Sequence, residues 1–370
     1  MEDTRPSLGT LLVTGGCGFL GSHIVETFLE EPSCFKVVVV TRSPQNHHHY
    51  PNVEYYAADI TDRGAMQHLL NMVKPEIIIH NVASTYTGNL EDAKRVTVGG
   101  TKLLLDLASE IPEIKAFIYT SSQVAVEPQS GTTRNEDNAK LNNLATGFSP
   151  YARTKGAAET IVLNANTNSL RTCVLHITSL YGERDKDTVN NMLKTGRSGA
   201  TNVQIGDNTP FFDWLYSKNA ALAFVLAAKA LTTEASAPDS VPANKKVSGE
   251  AFFITDDSPM RMWDFSRKVW QAAGIPVPTL EKTKIIPMWF VSTIAYVLEW
   301  GFWLCGSKKR PPIKVNDVKF MQGGYRFSID KAKERLGYQP ICDTEEGIRR
   351  LVKWFQEQDK VRDSKNAEAV

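Results

Sequence analysis

The run Thr14-Gly15-Gly16-Cys17-Gly18-Phe19-Leu20-Gly21 follows a short apolar stretch, Gly9 to Thr14, and precedes an amphipathic segment, Ser22 to Glu30. Strand, glycine turn and helix in that order open a βαβ unit, and few stretches of this length narrow a fold as far. Glycines at 15, 18 and 21 let the backbone turn tightly and lie close to a pyrophosphate. The helix behind them offers free N–H groups and the positive end of its dipole. The turn predicts a dinucleotide-binding α/β fold, with Gly15, Gly18, Phe19, Leu20 and Gly21 at the phosphates. A tight turn without a ligand is the alternative.

The next stretches continue the alternation. Lys36 to Val40 is unbroken and apolar, as a parallel strand buried on both faces must be. An acidic residue at this strand end would hold a ribose 2'-hydroxyl, whereas an arginine can accept a 2'-phosphate. Here the chain reads Thr41-Arg42-Ser43, which leans towards NADP over NAD, although Arg42 also reads as a solvated loop residue. Val53 to Ala58 is a third strand, and Asp59-Ile60 behind it meets the adenine edge or, through Asp59, caps the following helix. Glu76 to His80 is a fourth, leading into Asn81-Val82-Ala83-Ser84, where small residues such as Ala83 let a cofactor lie against the backbone. The helix Leu90 to Ser109 is weakened by Gly99-Gly100. Ala116 to Thr120 is a fifth strand that delivers Ser121 and Ser122 to the carboxyl edge of the sheet, where ligands of open α/β sheets bind. Arg171 to Ile177 is the sixth.

Tyr151 and Lys155 stand four apart at the start of a helical run, so both side chains share one face. A phenol beside an ammonium has its anion stabilised, which draws its pKa down towards that of a general base. With a cofactor turn upstream, the spacing assigns Tyr151 to proton exchange, Lys155 to tuning it and reaching the nicotinamide ribose, and Ser122 to binding a substrate oxygen. Ser122 alone reads as a turn residue. The 42 basic and 41 acidic residues give a net charge of +1 and no field for nucleic acid. Five cysteines without a C-x-x-C spacing argue against a disulfide framework or a zinc site, and polar Met1 to Leu8 argues against a cleaved signal peptide.

After Glu183 the alternation fades, which divides the chain into a Rossmann domain (1–182), a substrate lobe (183–358) and a disordered polar tail (359–370). Asp213 and Asn219 read as caps, Asn219 to Leu231 as an Ala-rich helix, and Thr232 to Lys246 as a mobile loop. Ile285 to Gly306 is the least polar stretch. Its tryptophans, followed by Lys308-Lys309-Arg310, suit an anchor at a membrane surface, and equally a buried wall of an apolar substrate pocket.

Taken together, Thr14 to Gly21, Tyr119-Thr120-Ser121-Ser122, Tyr151 to Lys155, Gln204 to Asn208 with Phe212-Asp213-Trp214, and Ser248 to Thr255 resemble the extended short-chain dehydrogenase/reductase family. Within it the chain is most similar to the 3β-hydroxysteroid dehydrogenase branch that includes fungal sterol-4α-carboxylate 3-dehydrogenases (decarboxylating). The resemblance implies a doubly wound parallel sheet, a Ser122/Tyr151/Lys155 catalytic set and NAD. It further implies an apolar sterol or triterpenoid substrate and association with the cytosolic face of the endoplasmic reticulum membrane; a cytoplasmic protein is the alternative, and a homodimer is an open option. Thr41 stands where the family usually has an acidic residue, Thr97 where it has asparagine, and His176-Ile177 where it has Arg-Pro. The competing functions are an NADPH-dependent carbonyl reductase, a sugar-nucleotide epimerase and a non-catalytic cofactor sensor.

Overall fold

The computed structural model describes residues 7–46, 49–86, 88–128, 131–305, 311 and 313–368. Six strands follow the sequence order: β1 (Gly9–Thr14), β2 (Cys34–Thr41), β3 (Val53–Ala57), β4 (Ile77–His80), β5 (Ala116–Ser122) and β6 (Arg171–Ile177). A seventh, Glu250–Ile254, joins the outer edge of β6, and the sheet runs Glu250–Ile254, β6, β5, β4, β1, β2, β3 with every pairing parallel. The chain winds outwards from β1 through β2 to β3 and then returns to the other side of β1. Its switch point therefore lies between the carboxyl ends of β1 and β4, where a crevice for a ligand opens.

Both faces of the sheet are covered, which is why its strands read as continuous apolar runs. Leu11, Val13, Val37, Val39, Ile77 and Ile79 point into one core, shared with α1 (Phe19–Leu29) and the helix Ser217–Ser236. Leu12, Val38, Val40 and Ile78 point into the other, under α2 (Arg63–Val73), α4 (Gly100–Glu110) and α5 (Pro150–Asn164). The segment predicted as one helix over 90–109 is three pieces: α3 (Leu90–Ala93), a π-helical stretch Lys94–Gly99, and α4. Gly100 packs closely, since a Cβ there would stand 2.6 Å from the mobile end of the Ile60 side chain. Close packing thus accounts for one of the two glycines.

Beyond residue 183 the lobe is built from short pairs: Val203–Ile205 with Lys284–Ile286, Phe211–Phe212 with Met260–Arg261, and Trp214–Tyr216 with Ser179–Tyr181. The strand Glu250–Ile254 leaves this lobe to complete the main sheet, so the sheet is not closed within residues 1–182. Three local expectations fail. The helix begun at Ser217 continues to Ser236, into the stretch read as a loop, and the closing helix runs from Thr344 to Glu368 where a disordered tail was expected. Asp213 and Asn219 are not caps but buried crosslinks. Asp213 accepts the N–H of Phe327 at 2.5 Å, while Asn219 donates to Asp256 (2.7 Å) and the Cys342 carbonyl (2.8 Å) and accepts from the N–H of Ile341 (2.7 Å).

The apolar stretch becomes the helix Met288–Leu304, attached to the lobe through Val291 and Ala295, which pack with Val318. Among the described residues no helix is long and apolar enough to cross a membrane. Lys308-Lys309-Arg310 lies outside the described residues.

Asn219→Ala should lower the unfolding free energy by about 2–4 kcal/mol, because it removes one donor from the buried Asp256 carboxylate and takes this partner from the Cys342 carbonyl and the Ile341 N–H. Urea denaturation of both proteins checks this, and a loss under about 1 kcal/mol would refute the crosslinking role.

Candidate active site

The glycine turn carries out three separate steric tasks. Gly15 has φ +71°, open to glycine at low cost. A Cβ on Gly21 would stand 2.1 Å from the Gly15 carbonyl oxygen, so Gly21 lets α1 seat against the turn. Gly18 (φ −76°, ψ 176°) has an ordinary backbone and only Gly15 O near a Cβ, at 3.2 Å. It is the N-cap of α1, and no side chain caps that helix end. The leading N–H groups of α1 are thus offered to a ligand.

A cleft of about 650 Å³ starts at this cradle. Gly15, Gly18, Phe19, Arg42, Asp59, Ile60 and Ala83 line it, as the sequence suggested. Leu20 instead turns its side chain into the core, leaving only its backbone at the helix end. Arg42 is exposed at the rim. Asp59 does not cap α2, whose N-cap is Asp62; it accepts the Thr61 N–H (2.9 Å) and hydroxyl (2.8 Å). Those bonds, helped by Arg42 and Arg95, hold its carboxyl below the ordinary range. Arg95, on the π-helical stretch, is a wall residue that the sequence did not single out.

Asn81, Ala83 and Ser84 also line a second chamber of about 550 Å³, whose wall includes Ser122, Gln123, Tyr151, Thr178, Ser179 and Trp214. The cleft and chamber thus share the end of β4 as a common wall, with Gly18 lining the one and Tyr151 the other. The cradle without a side-chain cap and the elongated cleft both fit a nicotinamide dinucleotide. Met262 belongs both to this chamber and to a third, of about 430 Å³, lined by Ile205, Trp263, Ile285, Pro287 and Met288 at the root of the apolar helix.

α5 places Tyr151 and Lys155. Ser149 caps it by accepting the Ala152 N–H at 3.1 Å, and Pro150 occupies its first turn. Gly156 lets the helix close on the chain, since a Cβ there would lie 2.2 Å from Asn142 O. Lys155 is 2% exposed; its Nζ donates to the Thr120 carbonyl (2.5 Å) and lies 4.7 Å from the Tyr119 ring centroid and 5.8 Å from that of Tyr151. Burial draws the ammonium down to about 7, opposed by Glu159. Burial also pushes the Tyr151 phenol up to about 12, opposed by the nearby Ser122 hydroxyl. The spacing had suggested a lowered phenol; Lys155 sits beneath the ring and spends a donor on Thr120, so desolvation outweighs its charge. The structure thus brings Ser122, Tyr151 and Lys155 together, and adds Glu159 and His176 behind them. Glu159 was legible as the next residue of the same spacing, Tyr151, Lys155, Glu159.

This fold and site define an NAD(P)-dependent oxidoreductase of the extended short-chain type. The chain belongs to the 3-beta hydroxysteroid dehydrogenase/isomerase family, whose sequence profile matches residues 12–284. It is similar to the sterol-4-alpha-carboxylate 3-dehydrogenase (decarboxylating) of Gibberella zeae, with 31% identity covering 80% of this chain and 96% of that protein. The protein so named from Candida albicans is also 31% identical, over 95% and 99% of the two chains. Among solved structures, the UDP-glucose 4-epimerase of Thermotoga maritima superposes with a TM-score of 0.70 at 22% identity, covering 94% of this chain and 99% of that one, a likeness of fold.

Gly18→Ala should fold normally yet bind the dinucleotide at least about tenfold more weakly, because the new methyl group intrudes on the cradle and little else. Titration of cofactor fluorescence reads this; unchanged affinity would remove Gly18 from the binding surface.

Proposed function

We propose that the protein oxidises the 3β-hydroxyl of a sterol or triterpenoid-like substrate. The observation that carries this reading is the lining of the second and third chambers, which among the described residues is apolar or neutral apart from Asp207 and contains no lysine or arginine. A flat apolar skeleton fits such walls, whereas the diphosphate of a sugar nucleotide would lack a cationic partner. The sterol substrates in the names of the two fungal relatives support the same choice.

When bound, the nicotinamide supplies a hydride acceptor. Tyr151, as a phenolate stabilised by Lys155, takes the hydroxyl proton while Ser122 donates to the substrate oxygen. On a substrate with a carboxylate on the neighbouring carbon, the new ketone makes a β-keto acid. The electron pair of the carbon–carboxylate bond then moves towards the ketone oxygen, carbon dioxide leaves and a proton takes its place, so no further catalytic group is needed. Arg42, with Thr41 in place of an acid, favours NADP over NAD. Tyr151→Phe should lower kcat by about 10²–10⁴-fold, measured as reduced cofactor formed with 3β-hydroxy sterols; full activity in this variant, or none in the wild type with any such sterol, would contradict the reading.

The helix Met288–Leu304 supports attachment to a membrane surface, and the family resemblance points to the endoplasmic reticulum. Trp289, Trp300 and Trp303 are 69%, 67% and 73% exposed, with Tyr296, Val297 and Leu304 exposed beside them. Such a face sinks into the headgroup region without spanning the bilayer. The third chamber lies at its root, so a sterol would pass from the bilayer into the protein beside Pro287 and Met288. Replacing Trp300 and Trp303 with serine should weaken co-sedimentation with phospholipid vesicles by at least roughly tenfold; unchanged binding would leave the face without this role.

A further inference from the structure

α5 carries Tyr151, Lys155 and Glu159 at successive intervals of four, so one helical face turns all three inward. Glu159 is 1% exposed and both its oxygens are engaged. Oε2 accepts from Ser121 Oγ (2.6 Å), and Oε1 lies 2.8 Å from Nε2 of the buried His176. The other ring nitrogen, Nδ1, faces the carbonyl oxygen of Ser122 at 3.3 Å. A carboxylate and a carbonyl can only accept, so a ring that donates to both is an imidazolium. The ring stacks on Phe253 with centroids 4.5 Å apart. The Phe253 N–H goes to Glu136 (2.8 Å), whose carboxyl is the second acidic group acting on the imidazole. Burial would lower the imidazole, but Glu159, the Ser122 carbonyl and Glu136 together raise it above its ordinary value.

We propose that Glu159 and His176 form a positioning pair, in which Glu159 keeps Lys155 cationic and His176 fixes the strand end that carries Ser122. The proposal rests on the reading that Tyr151, Ser122 and Lys155 perform the oxidation. Lys155 is drawn towards neutrality by burial, and Glu159 is the group that opposes this. A neutral Lys155 would cease to stabilise the phenolate, so turnover falls as pH rises through the lysine's titration. His176 acts through the Ser122 backbone, in register with Ile177 on β6, so that the serine hydroxyl stays aimed at the chamber. Neither residue lines the chamber.

Two activity-independent measurements on the full chain come first. In ¹⁵N-histidine NMR, with the His176 signal assigned through His176→Arg, both ring nitrogens should be protonated at pH 7; a neutral tautomer overturns the pair. In ¹³Cε-lysine NMR, the Lys155 titration should fall by about one pH unit in Glu159→Gln, a tenfold change in the equilibrium; an unmoved titration overturns the link. In kinetics with a 3β-hydroxy sterol, the alkaline limb of kcat should move about one unit to acidic pH in Glu159→Gln, while KM changes less than about threefold. His176→Arg retains a cation with several donors and should keep the limb in place; loss of kcat by the same factor at every pH in Glu159→Gln would mean a structural role alone. Should Glu159→Gln fail to fold, the wild-type ¹⁵N spectrum still decides the pair. If no sterol is oxidised at all, the functional reading falls, and the two spectra still judge the pair by itself.

Discussion

The ammonium of Lys155, buried and bound to the carbonyl of Thr120, ties α5 to the end of β5. Taking that charge out of water is costly unless it is met by strong partners. The Thr120 carbonyl, the Tyr119 ring and the nearby Glu159 carboxylate meet it. Around this tie the remaining groups fall into place: Tyr151 one turn earlier on α5, Ser122 two residues further along β5, and the end of β4 bringing Asn81, Ala83 and Ser84 against both. These groups thus oppose the neutralisation that burial favours, beside the phenol of Tyr151.

The sheet supplies the other half of the arrangement. Because the winding reverses at β1, the cradle at Gly18 and the end of β4 lie side by side. An elongated ligand can therefore start on the helix dipole of α1 and finish at Tyr151. The lobe then closes the far side with Trp214, Met262 and Phe320, and extends the apolar space to the root of the helix Met288–Leu304.

What the sequence disclosed was local in origin. The glycine turn, the Val37–Val40 run and the Tyr151/Lys155 spacing are each settled within a few residues, so the sheet, the cofactor cradle and the central pair could be read from them. What escaped reading depends on distant partners. The strand Glu250–Ile254 enters the sheet only after the lobe has been traversed, and Asn219 is occupied by Asp256 and Cys342, far along the chain. The phenol's raised pKa escaped for a related reason: spacing locates Lys155 near Tyr151 but says nothing about the Thr120 carbonyl or the depth of burial. His176 stood out in the sequence as a departure from Arg-Pro, and only its contact with Glu159 gives the departure a physical meaning.

The central claim, that this chain removes hydride from the carbinol carbon of a 3β-hydroxy sterol, can be tested by isotope transfer. The protein is incubated with NAD⁺ or NADP⁺ and sterols, with and without a 4-carboxylate, that carry deuterium at C3. Mass spectrometry should find the label in the reduced nicotinamide and a 3-ketone among the sterol products. Deuterium retained in every sterol, with no ketone formed, would contradict the account.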